Sequence, residues 1–265
     1  MSRPIAYDPR PGWLGWVSLL SLLAMTFAFV TVNLQIYSAR AAFIAAHPEY
    51  VAKQPPTISR ALSDPAIGDG FAFWIGLSAL LLFPAVSGVI ATFASALPAV
   101  RAASPGGARR LVAVSVFLPL LQLGSCIGMV MLSQYTFPDY NDEHMFGSYL
   151  FFISQAGMVL AGLLFSIATA RDPAMAATMA EAGVYAPGAN RARLWVGTTS
   201  VLLSLGYLGL FIAKGLDLGA WEPFVYLVYV STEPVCISSF LLFGLLYNFD
   251  LARAAFGRRA AVQGV

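Results

Sequence analysis

Two ionisable side chains stand out because they lie within or beside long apolar segments of the sequence. Glu233 is about ten residues into the segment 222–248, or roughly 15 Å along a helix. His144 lies at the mouth of another apolar segment, directly after Asp142 and Glu143. A carboxyl group in lipid must be protonated or paired, and it is a functional candidate by default. Histidine is the usual acid or base near neutral pH. We therefore take Glu233 and His144 as the candidates for chemistry.

Helical periodicity of about 100° per residue gives these candidates polar neighbours. The face of Glu233 also carries Tyr226, Tyr229, Cys236 and Phe240. The face of His144 continues through Ser148, Phe151 and Gln155. A third segment aligns Gln122, Cys126, Met129 and Ser133, with Ser125 beside them. These faces predict a polar cavity in one half of the membrane and a drier opposite half.

Each candidate also has an interpretation without chemistry. Polar side chains within membrane bundles often only join helices, at about 0.6 kcal/mol per interhelical hydrogen bond. The glutamines and serines fit that reading as well as they fit ligand binding. A histidine at a helix start is often an interfacial cap. For Glu233, the expected partners are Gln122, a tyrosine hydroxyl, His144 or Lys214.

The composition identifies the elements that must hold these residues. Of the 265 residues, 58% are hydrophobic and only 11% are charged, and the mean hydropathy is +0.74. Soluble domains carry about 25% charged residues, whereas a membrane span needs about 20 mostly apolar ones. Six segments qualify: 13–37, 71–97, 110–135, 147–170, 194–214 and 222–248. We expect one all-α transmembrane domain over residues 1–265, a six-helix bundle whose last two helices form a tight antiparallel pair. The first segment is longer than the apolar core of a signal peptide, so we expect no cleaved signal.

Basic residues set the expected orientation, because cytoplasmic loops are enriched in Lys and Arg. With the N-terminus inside, the cytoplasmic side holds Arg3, Arg10, Arg101, Arg109, Arg110, Arg171, Arg191, Arg193, Arg253, Arg258 and Arg259. The other side holds Arg40, Lys53, Arg60 and Lys214. Both termini are therefore expected in the cytoplasm. Because arginines far outnumber lysines, the composition indicates a GC-rich bacterial genome, and we expect a multi-pass protein of the bacterial inner (plasma) membrane.

The longest connection, residues 38–70, is expected on the extracytoplasmic side. It contains Pro48, Pro55, Pro56 and Pro65, so it cannot form one continuous helix. It also contains Ile58, Leu62 and Ile67. We predict that these apolar residues fold the loop back over the mouth of the bundle.

Several familiar motifs are missing from the sequence. It has no phosphate-binding loop, and with only His47 and His144 it has no zinc-protease motif. It shows no basic stripe of the kind that binds nucleic acid. Cys126 and Cys236 both lie in apolar segments and are expected to be buried and free. Gly124 and Gly128 predict a close helix contact. We expect no metal and no cofactor.

Three parts of the chain together resemble a known family. They are Pro56-Thr57-Ile58-Ser59 followed by Phe73-Trp74-Ile75-Gly76-Leu77, then Phe137-Pro138-Asp139-Tyr140-Asn141-Asp142-Glu143-His144 with Tyr149-Leu150-Phe151-Phe152, and finally Glu233 with Asn248-Phe249-Asp250. They resemble the Frag/DRAM/Sfk family of six-span membrane proteins, which includes the GPI-anchor lipid-remodelling factor and the damage-regulated autophagy modulators. The first loop lacks the cysteines common in eukaryotic members. Gln122 stands where the GPI-remodelling branch has an acidic residue.

The resemblance implies a protein that handles or senses lipid at an extracytoplasmic site. It adds Ser59, in the Pro-x-x-Ser loop, to the expected ligand-binding residues. The full set of those residues is Tyr226, Tyr229, Gln155, Gln122, Asp142, Glu143 and Ser59.

Three functions fit the sequence. The first is lipid remodelling or lipid-dependent regulation. If it is enzymatic, His144 acts as acid or base oriented by Asp142 or Glu143, with Glu233 as a deeper electrostatic partner. The second is a small-solute transporter or channel, which should have polar residues through both halves of the membrane. The third is an accessory subunit of a larger membrane complex. The candidate partners are membrane lipids and other membrane proteins, and no nucleic-acid partner is expected.

Overall fold

The computed structural model describes residues 12–257, and this range is helical, without strands. In chain order the helices are α1 (Gly12–Ala46), α2 (Pro48–Val51), α3 (Ile58–Leu62), α4 (Pro65–Ala94), α5 (Leu97–Ala103), α6 (Pro105–Gln134), α7 (Asn141–Ala170), α8 (Pro173–Glu181), α9 (Pro187–Ala213), α10 (Glu222–Leu245) and α11 (Asn248–Phe256). A single 3-10 turn, Gly219–Trp221, precedes α10. Six helices are long and apolar enough to cross a membrane: α1, α4, α6, α7, α9 and α10 with its flanking turns. The predicted six-span, all-α architecture is confirmed.

Local sequence explains where most helices begin. Proline is the first residue of α4, α6, α8 and α9, a position where its missing N–H costs nothing. The side chains of Asp64, Ser104 and Asp172 cap α4, α6 and α8, and each accepts a backbone N–H at 3.0 Å. Thr57 caps α3 in the same way through Arg60 N.

The helices run further than the predicted spans. The first ends at Ala46 instead of 37, and the helices predicted to start at 71, 110, 147 and 194 start at Pro65, Pro105, Asn141 and Pro187. The sixth stops at Leu245 instead of 248, and α11 follows. The predicted bounds follow hydropathy, which drops at the membrane surface, whereas helix ends follow caps and prolines. Much of the 38–70 connection is therefore helical, although it is broken around His47 and between Ala52 and Thr57, as its prolines predict.

The six long helices form a closed ring in chain order. Each contacts the next, and α10 closes the ring against α1. α9 and α10 pack as the predicted antiparallel pair. One end of the ring holds α2, α3 and the segments 135–140 and 214–221; we call it the α3 end. The opposite end holds α5, α8 and α11, joined by hydrogen bonds from Ser104 to Asp172 (2.6 Å) and from Ala186 N to Asp250 (2.6 Å).

The outer surface of the ring is apolar, and α6 and α7 pack closely against each other. Large side chains such as Leu80 and Leu202 are 70% and 64% exposed, as suits contact with lipid. Inside, a Cβ atom on Gly128 would lie 2.5 Å from the backbone N of Phe151. The close approach of α6 and α7 confirms the packing role predicted for the Gly124/Gly128 pair. Cys126 and Cys236 are buried and free, as expected.

The opposite end of the bundle contains two buried charges just outside the predicted apolar segments 194–214 and 222–248. Arg193 and Asp250 form an ion pair there, with both side chains 1% exposed. Asp250 also accepts the Ala186 N–H, and the Arg193 guanidinium lies 4.6 Å from the centre of the Tyr247 ring. From the sequence, Arg193 cannot be distinguished from the other loop arginines, because its partner Asp250 is 57 residues away.

Candidate functional site

A cavity of about 460 Å³ lies inside the α3 end of the ring. All six long helices contribute to its walls, and α3 covers it. Its lining is mainly apolar, with Phe71, Ile75, Met129, Phe151 and Phe240 among the wall residues. The polar groups that reach it are Thr57, Ser59, His144, Ser148, Ser204, Tyr207, Lys214, Tyr229 and Glu233. Ile58 and Leu62 are buried beneath the loop, which confirms that the first connection folds back over the bundle.

Ser59 and His144 meet at the top of this cavity. The Ser59 Oγ is 2.8 Å from His144 Nε2, and His144 Nδ1 is 2.6 Å from the backbone oxygen of Tyr135. A carbonyl oxygen can only accept, so Nδ1 carries the hydrogen. In the neutral ring, Nε2 then has a free lone pair, and the Ser59 hydroxyl donates to it. The structure thereby fixes both the tautomer and the direction of the hydrogen bond.

The surroundings of His144 hold the imidazole in place. Its side chain is 1% exposed, and the Phe137 ring lies against it with centroids 4.5 Å apart. The Tyr135 and Phe137 contacts both come from the short segment that joins α6 to α7. His144 is thus oriented on two sides by this segment and faces Ser59 on the third.

Glu233 holds the loop that carries Ser59. Its carboxylate accepts the backbone N–H of Ile58 at 3.1 Å, and Ile58 immediately precedes Ser59. Arg40 and Lys214 provide the positive charge around this buried carboxylate. None of the four partners expected for Glu233 makes this hydrogen bond; a backbone amide does. Such a bond is invisible in the sequence, because every residue except proline has the same donor.

Two tyrosines and a lysine form the wall between α9 and α10. The rings of Tyr207 and Tyr229 stack with centroids 5.1 Å apart, and their hydroxyls are 3.1 Å apart. The Lys214 Nζ lies 4.3 Å from the centre of the Tyr229 ring. Tyr207 was not among the site residues predicted from sequence, although Tyr207, Phe211 and Lys214 share one helical face by their spacing of four and three residues.

The structure brings together only some of the predicted site residues. Ser59, His144, Tyr229 and Glu233 line the cavity. Gln155 instead donates to Ser125 at 2.7 Å, and Gln122 donates to Cys126 at 3.1 Å. Both glutamines are buried outside the cavity lining: Gln155 joins α7 to α6, whereas the Gln122 contact lies within α6. Tyr226 is half-buried beside Tyr229, with ring centroids 6.4 Å apart, and is also outside the lining.

Asp142 and Glu143 do not have the predicted role. Both are exposed, and Asp142 accepts a hydrogen bond from the Asn141 side chain at 3.4 Å. Positions one and two residues before His144 point about 100° and 200° away from it on a helix. The hypothesis that either carboxylate orients His144 is therefore wrong. The Tyr135 carbonyl orients the His144 ring instead, through its hydrogen bond with Nδ1.

The exposed part of the cavity lining lies on α7 and α9, from which we infer that the cavity opens sideways between these two helices. The lining residues that are also exposed at the outer surface are Tyr149 and Ile153 on α7, Leu205 and Leu208 on α9, and Lys214. Ile153 is 69% exposed and Leu205 is 61% exposed. We call the gap between these four α7 and α9 residues the lateral mouth. It opens through the apolar surface of the bundle.

A second polar contact at the α3 end lies outside the cavity. His47 Nε2 is 2.9 Å from Asp64 Oδ2, which joins the end of α1 to the start of α4. The hydrogen bond with His47 holds the pKa of Asp64 below its ordinary value. Across residues 12–257, no cluster of three or more His, Cys, Asp or Glu side chains is arranged to hold a metal ion.

Comparison of the chain with protein-family models, with curated proteins and with solved structures finds no match.

Proposed function

We propose that this protein handles membrane lipid at the α3 end of its helical bundle. The observation that carries the proposal is a cavity whose mouth opens through the lipid-facing surface and whose polar groups lie towards α3. A molecule that enters between α7 and α9 comes from the membrane rather than from water. Its apolar part meets aromatic and aliphatic walls, and its polar part meets Ser59, His144 and Lys214.

The size and charge of the cavity support this proposal. Its volume of about 460 Å³ lies within the range of small-molecule sites. The ammonium of Lys214 suits a phosphate or carboxylate headgroup. In the positive-inside orientation the α3 end is extracytoplasmic, so the lipid would come from the outer leaflet of the inner membrane. The resemblance to the Frag/DRAM/Sfk family points to the same substrate class.

The interior of the opposite half favours lipid handling over transport. The void there measures only about 40 Å³ and is lined almost entirely by apolar residues, including Val86, Leu111 and Phe243. A solute path through the bundle would need polar groups at this level. The buried Arg193–Asp250 pair lies at that end, but it is occupied by its own hydrogen bonds.

Photocrosslinking tests the proposal. The full-length protein is reconstituted in vesicles that contain a phospholipid with a diazirine in its acyl chain. We expect adducts at the lateral mouth and on the inner wall of α10 around Ile237. Leu205→Trp should fill the mouth and reduce the inner adducts several-fold. Leu202→Trp is the control, because Leu202 is exposed on the same helix but lies outside the cavity lining.

Adducts confined to the outer surface, with a yield that Leu205→Trp does not change, would contradict the proposed function.

A further inference from the structure

We propose that Ser59 is an acyl-accepting nucleophile and that His144 is its general base, so the cavity cleaves or transfers an ester-linked acyl chain of a lipid. This inference rests on the proposed lipid-handling function and adds a reaction to it. Neither composition nor helical periodicity brings these two residues together; the contact joins positions 85 residues apart.

The hydrogen bonds have the arrangement that serine nucleophiles need. A serine hydroxyl is a weak nucleophile unless an adjacent base removes its proton, and that base must itself be oriented by a third group. Here the Ser59 hydroxyl faces the free lone pair of Nε2 at 2.8 Å, and the Tyr135 carbonyl holds Nδ1–H at 2.6 Å. Both distances lie within the range expected of a nucleophile–base pair and its orienting group.

The position of Ser59 and His144 favours a lipid ester over a water-soluble ester as the substrate. His144 is almost fully buried, and both residues line a cavity that opens through the apolar surface. An acyl chain that enters by the lateral mouth places its carbonyl at the polar end of the cavity. Lys214, on the same lining, supplies positive charge for a phosphate group of the lipid.

The reaction has two balanced steps. In the first, Ser59 Oγ transfers its proton to Nε2 and bonds to the ester carbonyl carbon, whose π electrons move to oxygen. The tetrahedral intermediate collapses, the bond to the alkoxy oxygen breaks, and that oxygen leaves with the Nε2 proton as an alcohol. In the second step, water or the hydroxyl of a second lipid gives its proton to Nε2 and attacks the acyl carbon. Ser59 leaves and regains the proton.

Glu233 is a positioning residue in this scheme. Its carboxylate accepts the backbone N–H of the residue that precedes Ser59, whereas the His144 ring bonds Ser59 and Tyr135. Together with the Thr57 cap, this bond fixes the turn from which the Ser59 side chain projects.

The test uses an alkyl fluorophosphonate, which phosphonylates activated serines and releases fluoride. The full-length protein in phospholipid vesicles is treated with the probe, and the modified residue is identified by peptide mass spectrometry. We expect the adduct on Ser59. Ser59→Ala should abolish it, and His144→Gln, which keeps an acceptor near the hydroxyl but removes the base, should slow it by about 10²-fold or more.

Matched controls are present in the same region. Ser63→Ala removes a hydroxyl that bonds only the Arg60 carbonyl, and His47→Gln removes the other histidine of the chain. Both variants should react at the wild-type rate. Thermal unfolding of each variant, together with its crosslinking to the diazirine lipid, shows whether the cavity is intact.

No adduct on Ser59 in the wild-type protein, or an adduct that forms equally fast in His144→Gln, would overturn the proposed reaction. If lipid crosslinking at the mouth persists in that case, the lipid-handling function survives and only the acyl transfer fails. If crosslinking is also absent, both proposals fail.

Discussion

The Glu233 carboxylate accepts the Ile58 N–H at 3.1 Å, one residue before the proposed nucleophile. Replacing it by alanine leaves that buried donor unpaired, at a cost of about 1–3 kcal/mol. We expect Glu233→Ala to speed amide hydrogen exchange in α3 and to slow the probe reaction at Ser59. Glu233→Gln should do less, because its amide oxygen can still accept the bond.

Thr232→Ala is the control for this prediction, since the Thr232 hydroxyl bonds only the Val228 carbonyl of its own helix. If amide hydrogen exchange in α3 is equally slow in Glu233→Ala and in the wild type, contacts other than the Glu233 hydrogen bond hold the loop.

The Arg193–Asp250 pair gives a second prediction about single residues. Removing one member of a buried ion pair costs about 3–5 kcal/mol, whereas replacing both by apolar residues is often neutral. Arg193→Met or Asp250→Leu alone should therefore lower the thermal unfolding midpoint strongly, and the double variant should recover most of the loss. Arg191→Met, at an exposed position of α9, should have little effect. Additive losses in the double variant would contradict this account.

Glu233 and His144 could be identified as candidates from sequence, because a charged or titratable side chain is costly in an apolar segment. The pairing of His144 with Ser59 could not be predicted from sequence, nor could the Tyr135 carbonyl that orients the ring. Both contacts depend on how a loop folds over a helix end, and the backbone partner carries no side-chain signature. The prediction that Asp142 or Glu143 orients His144 was wrong because residues that are adjacent in sequence lie on different faces of a helix.

At the scale of the helices, α6 and α7 approach each other closely at Gly128 and Gly147. A methyl group on Gly128 would meet the Phe151 N at 2.5 Å and the Gly147 O at 2.8 Å, and a backbone cannot give way as a flexible side chain can. We expect Gly128→Ala to destabilise the protein by about 1–3 kcal/mol or more in a chemical or thermal unfolding assay. Gly76→Ala, where nothing lies within 4 Å of the new methyl group, should be neutral or slightly stabilising. If Gly128→Ala left the free energy of unfolding unchanged, α6 and α7 could move apart at little cost, which would contradict this prediction.

The number of membrane helices could be predicted from sequence, but not their extent. Hydropathy marks the part of each helix in lipid, and that part is unambiguous because lipid admits few alternatives to helix. Beyond it, α1 continues to Ala46 and α7 begins at Asn141 in polar sequence, where no hydropathy signal exists. His144 is therefore inside a helix, which gives its side chain the fixed direction that the site requires.

For the whole molecule, the distribution of basic residues predicts that the α3 end faces away from the cytoplasm. Both native cysteines are buried, so a cysteine-accessibility assay has a low background. We expect Lys53→Cys to react with a membrane-impermeant maleimide in intact cells or spheroplasts. Arg171→Cys, at the opposite end, should react only after the membrane is permeabilised. The reverse pattern would place the cavity on the cytoplasmic side.

The closed ring of helices has a consequence for how the protein is made. A nascent chain enters the membrane from its N-terminus, so each new helix can pack on the one before it. Ser59 emerges early, in the first connection, but Glu233, which holds that connection in place, belongs to the last long helix. The proposed nucleophile is thus synthesised long before the residue that fixes it. We therefore expect a chain that ends before α10 to lack the Glu233 contact that holds this loop.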